Sequence, residues 1–242
     1  MRDGGMVGGL FLSWRRPTKE QEQACIASSG GFNYDPKFHG STTSPHSRGQ
    51  KSIEAVVGEA EGTLTENGFS INHARVLLGS GPRTFDLAKS ALLSWKHFGL
   101  GWAFVNPKTP VEKGERFCVC VKEVIPWMMM PLQIAYVRED TGGLSLNKAS
   151  FSFGSGTLRG HLLAIHPSLA GPTAPTAGEE RFSIELDEND KVWYEIYSFS
   201  KPAHILSVIS YPYVKLRQKF FTQQSVDAMK KHVATNQQSS RE

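Results

Sequence analysis

The middle of this chain is patterned with a period of two and its end with a period of three to four, and that order admits few folds. In 116–124, Phe117, Val119 and Val121 alternate with Arg116, Cys118 and Cys120. Leu132–Arg138 reads as a strand, and in Ala149–Leu158 the side chains of Phe151 and Phe153 alternate with serines. Phe182, Ile184 and Leu186 share one face of a further strand. Asp187-Glu188-Asn189-Asp190 then turns the chain into Val192–Phe199, the strongest hairpin signal in the sequence. Tight turns between successive strands make them antiparallel neighbours. After the last strand the spacing changes. Pro212 is placed to open a helix that runs from Tyr213 to about Val233, with Leu216, Phe220, Val226, Met229 and Val233 as its apolar stripe. Lys230, Lys231 and His232 fall in the last turn, where cations suit the helix dipole.

Upstream, 70–78 alternates as a strand, Gly79-Ser80-Gly81-Pro82 turns, and a helix is expected to about Phe98 with Phe85, Ala88, Leu92, Trp95 and Phe98 on one face. Trp102–Val105 is a short strand. Residues 1–68 read as an irregular segment packed on or linked to the domain, with a short helix at Lys19 to Cys25 and a polar, Glu- and Gly-rich stretch at 51–68. The expected organisation is therefore an α+β domain over 69–233 with a disordered tail at 234–242. In it a curved antiparallel sheet of about six strands exposes an apolar face that must be covered, and the C-terminal helix is the long element available. The expectation is that this helix lies lengthwise on the sheet with Phe220 buried. The order of elements resembles the helix-grip arrangement of START-like and pollen-allergen-like lipid and hormone carriers.

Composition narrows the function classes. The 242 residues are 39% hydrophobic and 21% charged, ordinary for a globular protein. A net charge of +4 with scattered Lys and Arg is not a nucleic-acid footprint, and no nucleic-acid partner is expected. Three cysteines, Cys25, Cys118 and Cys120, do not make a secreted disulfide framework, which points to an intracellular protein. Cys118 and Cys120 share a strand face and read as small core residues, since a pair offers too few ligands for zinc. The first residues place an acid, Asp3, before a short apolar run and two arginines after it, the reverse of a secretory signal. No apolar run reaches the roughly 18–20 residues of a spanning helix. Barrel strands would escape that test.

No catalytic, metal or cofactor constellation stands out. His161, Glu179 and Glu180 form the one cluster with acid–base potential, and no nucleophile accompanies them. The glycine-rich stretch Ser155 to Gly160 lacks the phosphate-loop pattern and reads as a bend in a curved sheet. Trp127-Met128-Met129-Met130-Pro131 reads as an apolar knob between two strands, fit for core filling or for a partner or membrane contact. Ile165–Ala177 carries three prolines and reads as an exposed loop. If the helix stands off the sheet, the candidate lining of a ligand cavity is Phe151, Phe153, His161, Glu179, Trp193, Tyr197 and Phe220.

In combination, several motifs carry a family resemblance. They are Phe32-Asn33-Tyr34-Asp35, Gly79-Ser80-Gly81 before a helix ending Trp95-Lys96-His97-Phe98, Gly156-Thr157-Leu158 with Gly160-His161, Gly178-Glu179-Glu180-Arg181-Phe182, and Val192-Trp193-Tyr194-Glu195-Ile196 with Phe199-Ser200-Lys201-Pro202. Over roughly residues 10–233 the chain resembles an uncharacterised plant and bacterial domain-of-unknown-function family. The resemblance implies no catalytic residue. Plant members are similar to a chloroplast outer-envelope protein, which implies an envelope location and a cation-selective channel activity. In the family, the Gly-His-Leu-Leu-Ala segment runs almost directly into Gly-Glu-Glu, so Ile165–Ala177 reads as an insertion. Two expectations follow: a non-enzymatic domain binding an apolar small molecule or lipid between sheet and helix, and, from the resemblance, a membrane-associated envelope channel that would need oligomerisation or refolding in the membrane.

Overall fold

The turn after Asp187 anchors the sheet. Asp187 Oδ1 accepts the backbone N–H groups of Asn189 and Lys191 at 2.9 and 3.0 Å, and its Oδ2 accepts the Trp193 indole N–H at 2.9 Å. These bonds hold its carboxyl below the usual carboxylate range, and Asp190 adopts φ 61° to close the turn. The computed structural model describes residues 4–7, 10–43, 53–122, 126–141, 148–159, 176–202 and 205–238. Nine antiparallel strands among them make one sheet: β1 Gly4–Val7, β2 Leu10–Ser13, β3 Ser70–Ser80, β4 Ala103–Phe104, β5 Arg116–Lys122, β6 Trp127–Asp140, β7 Ala149–Thr157, β8 Thr176–Leu186 and β9 Lys191–Pro202. The order across it is β4, β5, β6, β7, β8, β9, β3. The β1–β2 hairpin sits beside Trp127 to Met129 of β6, past the end of β7.

Alternation assigns the two faces. On the inner face lie Phe153 of β7, Phe182 and Ile184 of β8, and Tyr194 and Ile196 of β9, all essentially inaccessible. Two helices cover them. Helix α3 (Pro82–Leu93) is followed by a left-handed residue, Trp95 at φ 56°, and a 3-10 turn at Lys96–Phe98. The reversal at Trp95 ends α3 before the expected Phe98 and drives the indole into the sheet, 4.7 Å from Phe117 and 5.3 Å from Phe153. The last helix, α4 (Ile205–Gln238), packs through Val226, Met229 and Val233 on that core. The expected curved antiparallel sheet with a long C-terminal helix is present, but α3 shares the covering of the inner face.

Three expectations about α4 and its surroundings are corrected. The helix begins at Ile205, not Pro212, and takes the proline inside it, at the expense of one backbone hydrogen bond. Phe220 is 43% exposed, and the adjacent Phe221 turns inward instead, 4.7 Å from Phe98. The stripe drifts because 216 and 220 lie on the outer side of a helix whose buried positions are 222, 225, 226, 229 and 233. The supposed knob Trp127–Pro131 is the first part of β6, paired along its length with β5. Of Ile165–Ala177, Thr176 and Ala177 open β8 and the rest lies outside the described residues.

The N-terminal region, expected to be irregular, covers the outer face. Helix α1 (Lys19–Ala27) opens with a capping box between Thr18 and Gln21 and packs Cys25 against Cys118 and Cys120 in a small apolar cluster with Phe104, Trp127 and Met129. Helix α2 (Ile53–Glu66) brings Leu64 into a second cluster with Tyr34, Phe38, Phe69 and Phe199. The hydrogen bond with Cys25, then burial, raises the Cys118 thiol well above its ordinary range, and burial raises that of Cys120, as fits packing residues.

Candidate functional site

Register places three polar side chains of adjacent strands side by side on the inner face: Ser155 of β7, Glu180 of β8 and Ser198 of β9. Asn72 of β3 continues this rung beyond Ser198 and donates through Nδ2 to Thr222 Oγ1 of α4 at 3.0 Å. One step toward the strand end, Gln218 Nε2 donates to Ser200 Oγ at 3.1 Å. These bonds fasten α4 near the sheet without filling the space beneath its first half. A partly open cavity of about 210 Å³ results. Its walls come from Val119 and Val121 of β5, Met128, Met129, Met130 and Leu132 of β6, the rung on β7 to β9, and Val214, Arg217 and Phe221 of α4. The lining is mostly apolar, with polar groups gathered on the sheet, the composition expected of a small-molecule site.

Glu180 is the unusual member. Its carboxyl lies deep in the domain with its free surface on the cavity, which is why it is half-buried in accessibility while being strongly desolvated. Desolvation pushes it up to about 8. No hydrogen bond or ion pair to its side chain occurs among the described residues, and the guanidinium of Arg217, on the same cavity, is stacked 4.0 Å over Trp102. Below the rung, Tyr194 shares a 2.8 Å hydrogen bond with Ser225 of α4, and burial holds its phenol well above the ordinary value.

The neighbouring Glu179 faces the other way. Its carboxylate accepts Tyr34 O–H at 2.8 Å, the Gly40 N–H at 2.8 Å and the Thr42 N–H at 3.1 Å, together with the Thr42 hydroxyl. It clamps the N-terminal region to the outer face, although the residue also borders the cavity. Gly154 and Gly156 make that docking possible, because a Cβ at either would overlap Tyr136 or Tyr34.

The other residues expected at the site are dispersed. Phe151 and Phe153 are core, close to the cavity but not on it. Trp193 and Tyr197 lie on the outer face, under the Arg75 guanidinium at 4.9 Å and the Arg181 guanidinium at 5.5 Å respectively. Phe220 lies outside the cavity, against Trp102 at 5.5 Å. His161 lies outside the described residues. The reading of the sequence missed Ser155, Ser198, Gln218 and the methionines of β6. The feature common to the two serines is the register that sets Ser155 and Ser198 on either side of Glu180 on three successive strands, which no single stretch of sequence displays. It was obscured because β9 carries Tyr197 and Phe199 on the outer face, where aromatics are usually not expected.

His97 is a separate oddity. It is fully buried among Trp95, Phe98, Phe153 and Phe182, and neither ring nitrogen has a partner among the described residues. Burial lowers it from 6.5 to about 3, so it is neutral in the fold.

Comparison with known proteins bears on this fold. Residues 54–228 match the model of a family described as Domain of unknown function (DUF1990). The chain belongs to this family. A UPF0548 protein of Arabidopsis thaliana is 52% identical over 224 residues, covering 93% of this chain and 98% of that one. A UPF0548 protein of Dictyostelium discoideum is 32% identical over 177 residues, covering 70% and 75%. A relative in Deinococcus radiodurans is 27% identical over 157 residues, covering 60% and 69%, so the family spans plants, amoebae and bacteria. Among solved structures, human STARD10 superposes with a TM-score of 0.42 at 8% identity, covering 71% of this chain and 66% of that one. Ara h 8.0201 superposes with a TM-score of 0.39 at 10% identity, covering 69% and 99%. None of the described helices is long and apolar enough to cross a membrane, a statement that does not extend to strands.

Proposed function

We propose that this protein binds an apolar small molecule, such as a lipid fragment, between the inner face of its sheet and the first half of α4. The observation that carries this reading is the cavity of about 210 Å³, apolar on most of its wall and crossed on the sheet side by the Ser155–Glu180–Ser198 rung. A core under no other demand would close such a space, since interiors pack to crystal-like density and each void forfeits contacts. The rung is also a poor choice for a sealed core, because unpaired polar groups are unfavourable there unless something bonds to them.

The test is a titration with the neutral naphthyl ketone Prodan, whose emission moves to the blue in an apolar site. Saturable binding with a blue shift is expected for the wild type. Val214, on the cavity wall of α4, is half-buried, so Val214→Trp can fill the space from the helix side. That variant should bind at least about tenfold more weakly while its melting temperature stays within a few degrees. Absence of saturable binding to the wild type, or equal binding by Val214→Trp, would remove the reading.

A further inference from the structure

The cavity contains a carboxyl, that of Glu180, with no partner among the described residues, and the surroundings of that carboxyl restrict what can occupy the space. Among the described residues the groups packed about Glu180 are neutral apart from one cation. Ser155 stands beside it on β7 and Ser198 beside it on β9. Tyr194, also on β9, is committed to Ser225. From α4 come Gln218, committed to Ser200, and one cation, Arg217, whose guanidinium is stacked on Trp102. Charged groups adjacent in sequence point away: Glu179 into the clamp on the N-terminal region, and Arg181 into an ion pair with Glu195 at 2.7 Å on the outer face. Among the described residues no cation is paired with the Glu180 carboxyl.

We infer that the ligand is an uncharged, largely apolar molecule with a carbonyl or ether oxygen, and that this oxygen accepts a hydrogen bond from the protonated carboxyl of Glu180 while the Ser155 and Ser198 hydroxyls flank it. The inference rests on the binding reading above and adds a chemical class to it. A carboxyl held in an apolar wall with no counter-ion is stable there as the neutral acid, which is a strong hydrogen-bond donor. Desolvation places its titration at about 8, so it is mostly protonated at neutral pH. An amine would require the acid to ionise in a cavity that already includes the Arg217 cation. A hydrocarbon would leave the acid and both serines unsatisfied, and a site built to bond an oxygen rejects the analogue that lacks it.

The experiment compares acetylnaphthalene with isopropenylnaphthalene, which replaces the carbonyl oxygen by a methylene of nearly the same shape. Binding is measured by displacement of Prodan. At about pH 6.5, below the titration of the acid, the wild type should prefer the ketone by roughly fivefold, the worth of one net hydrogen bond. Glu180→Gln retains an N–H donor of similar size and should keep most of that preference. Glu180→Leu should lose it while binding the hydrocarbon as well as the wild type does. Raising the pH through about 8 should erode the preference in the wild type and leave Glu180→Gln unchanged. If both probes bind the wild type equally at every pH, the role of Glu180 is refuted and the binding reading survives. A ketone preference that is retained in Glu180→Leu, or that grows as pH rises, refutes it too. If neither probe displaces Prodan and Prodan itself does not bind, the binding reading fails and this inference with it.

Discussion

At the scale of single residues, two buried titratable groups act on stability in opposite pH windows. His97 is neutral in the fold and titrates at about 3 there, against 6.5 when unfolded. Between those values the unfolded chain binds a proton that the native chain does not. Stability attached to this residue is therefore fully present above 6.5 and is lost as the pH falls below it, at up to about 1.4 kcal/mol per pH unit. Glu180 is the reverse case. Its folded value of about 8 exceeds the ordinary 4.5, so the native chain holds the extra proton and stability declines as pH rises from 4.5 toward 8. His97→Leu keeps the side-chain volume while removing the titration and two unpartnered ring nitrogens. Thermal melts of this variant at a series of pH values should show an acid limb flatter than the wild type's below about pH 6, with neutral-pH stability equal or higher. A steep acid limb unchanged from the wild type would show that His97 finds a proton acceptor in the native protein.

At the scale of elements, α4 divides into two halves with different surroundings. From 212 to 221 no side chain is buried, whereas Thr222, Ser225, Val226, Met229 and Val233 all are. The stripe that the sequence suggests, from Leu216 through Phe220 to Val233, runs these halves together. Met229→Ala should cost about 2–5 kcal/mol, as for a buried methionine truncated in a tight core. Phe220→Ala should cost less than about 1 kcal/mol, because the ring is 43% exposed and rests on Trp102 and Arg217 at the surface. Urea denaturation of both variants measures this, and the reverse ranking would mean that Phe220, not Phe221, faces the core. The same contrast explains what could be read in advance. The hairpin at Asp187–Asp190, the strands around Phe117, Phe153 and Phe182, and the long last helix were legible because local alternation and turn chemistry agree with the tertiary environment. The two helices and two strands before Phe69 were mostly not, since α2 is rich in Glu and Gly and its Leu64 gives no strong periodic signal for the cluster it joins. The cavity was not legible because it is made by register between strands. Ser155, Glu180 and Ser198 are far apart in the chain, and which acid of the Glu179–Glu180 pair faces inward depends on a strand parity that one residue of slip would invert.

For the whole molecule, the sheet is covered on both faces, yet unequally. The outer face is closed by Glu179 and its four donors and by the apolar clusters around Cys25 and Phe199. The inner face is closed where α3, the Trp95–Phe98 turn and the second half of α4 meet, and stands open where the first half of α4 spans the cavity. Local stability follows buried contact, so the two halves of one continuous helix should open with different free energies. Backbone amides around Val226 to Val233 should exchange hydrogen only with global unfolding, and those of 213–221 considerably faster. On α4 a cavity ligand adds contacts to Val214, Arg217, Gln218 and Phe221, and it stabilises whatever state holds it by RT ln(1 + [L]/Kd), about 2.7 kcal/mol at a hundredfold excess over Kd. Saturating Prodan should therefore slow exchange in 213–221 by up to about a hundredfold and leave Val226 to Val233 unchanged until their opening becomes limited by the ligand as well. Hydrogen-exchange mass spectrometry on peptides spanning the two halves reads both effects. Equal protection of the halves without ligand would contradict the unequal packing, and protection appearing over α1 or the outer-face clusters instead of 213–221 would place the ligand on the other side of the sheet.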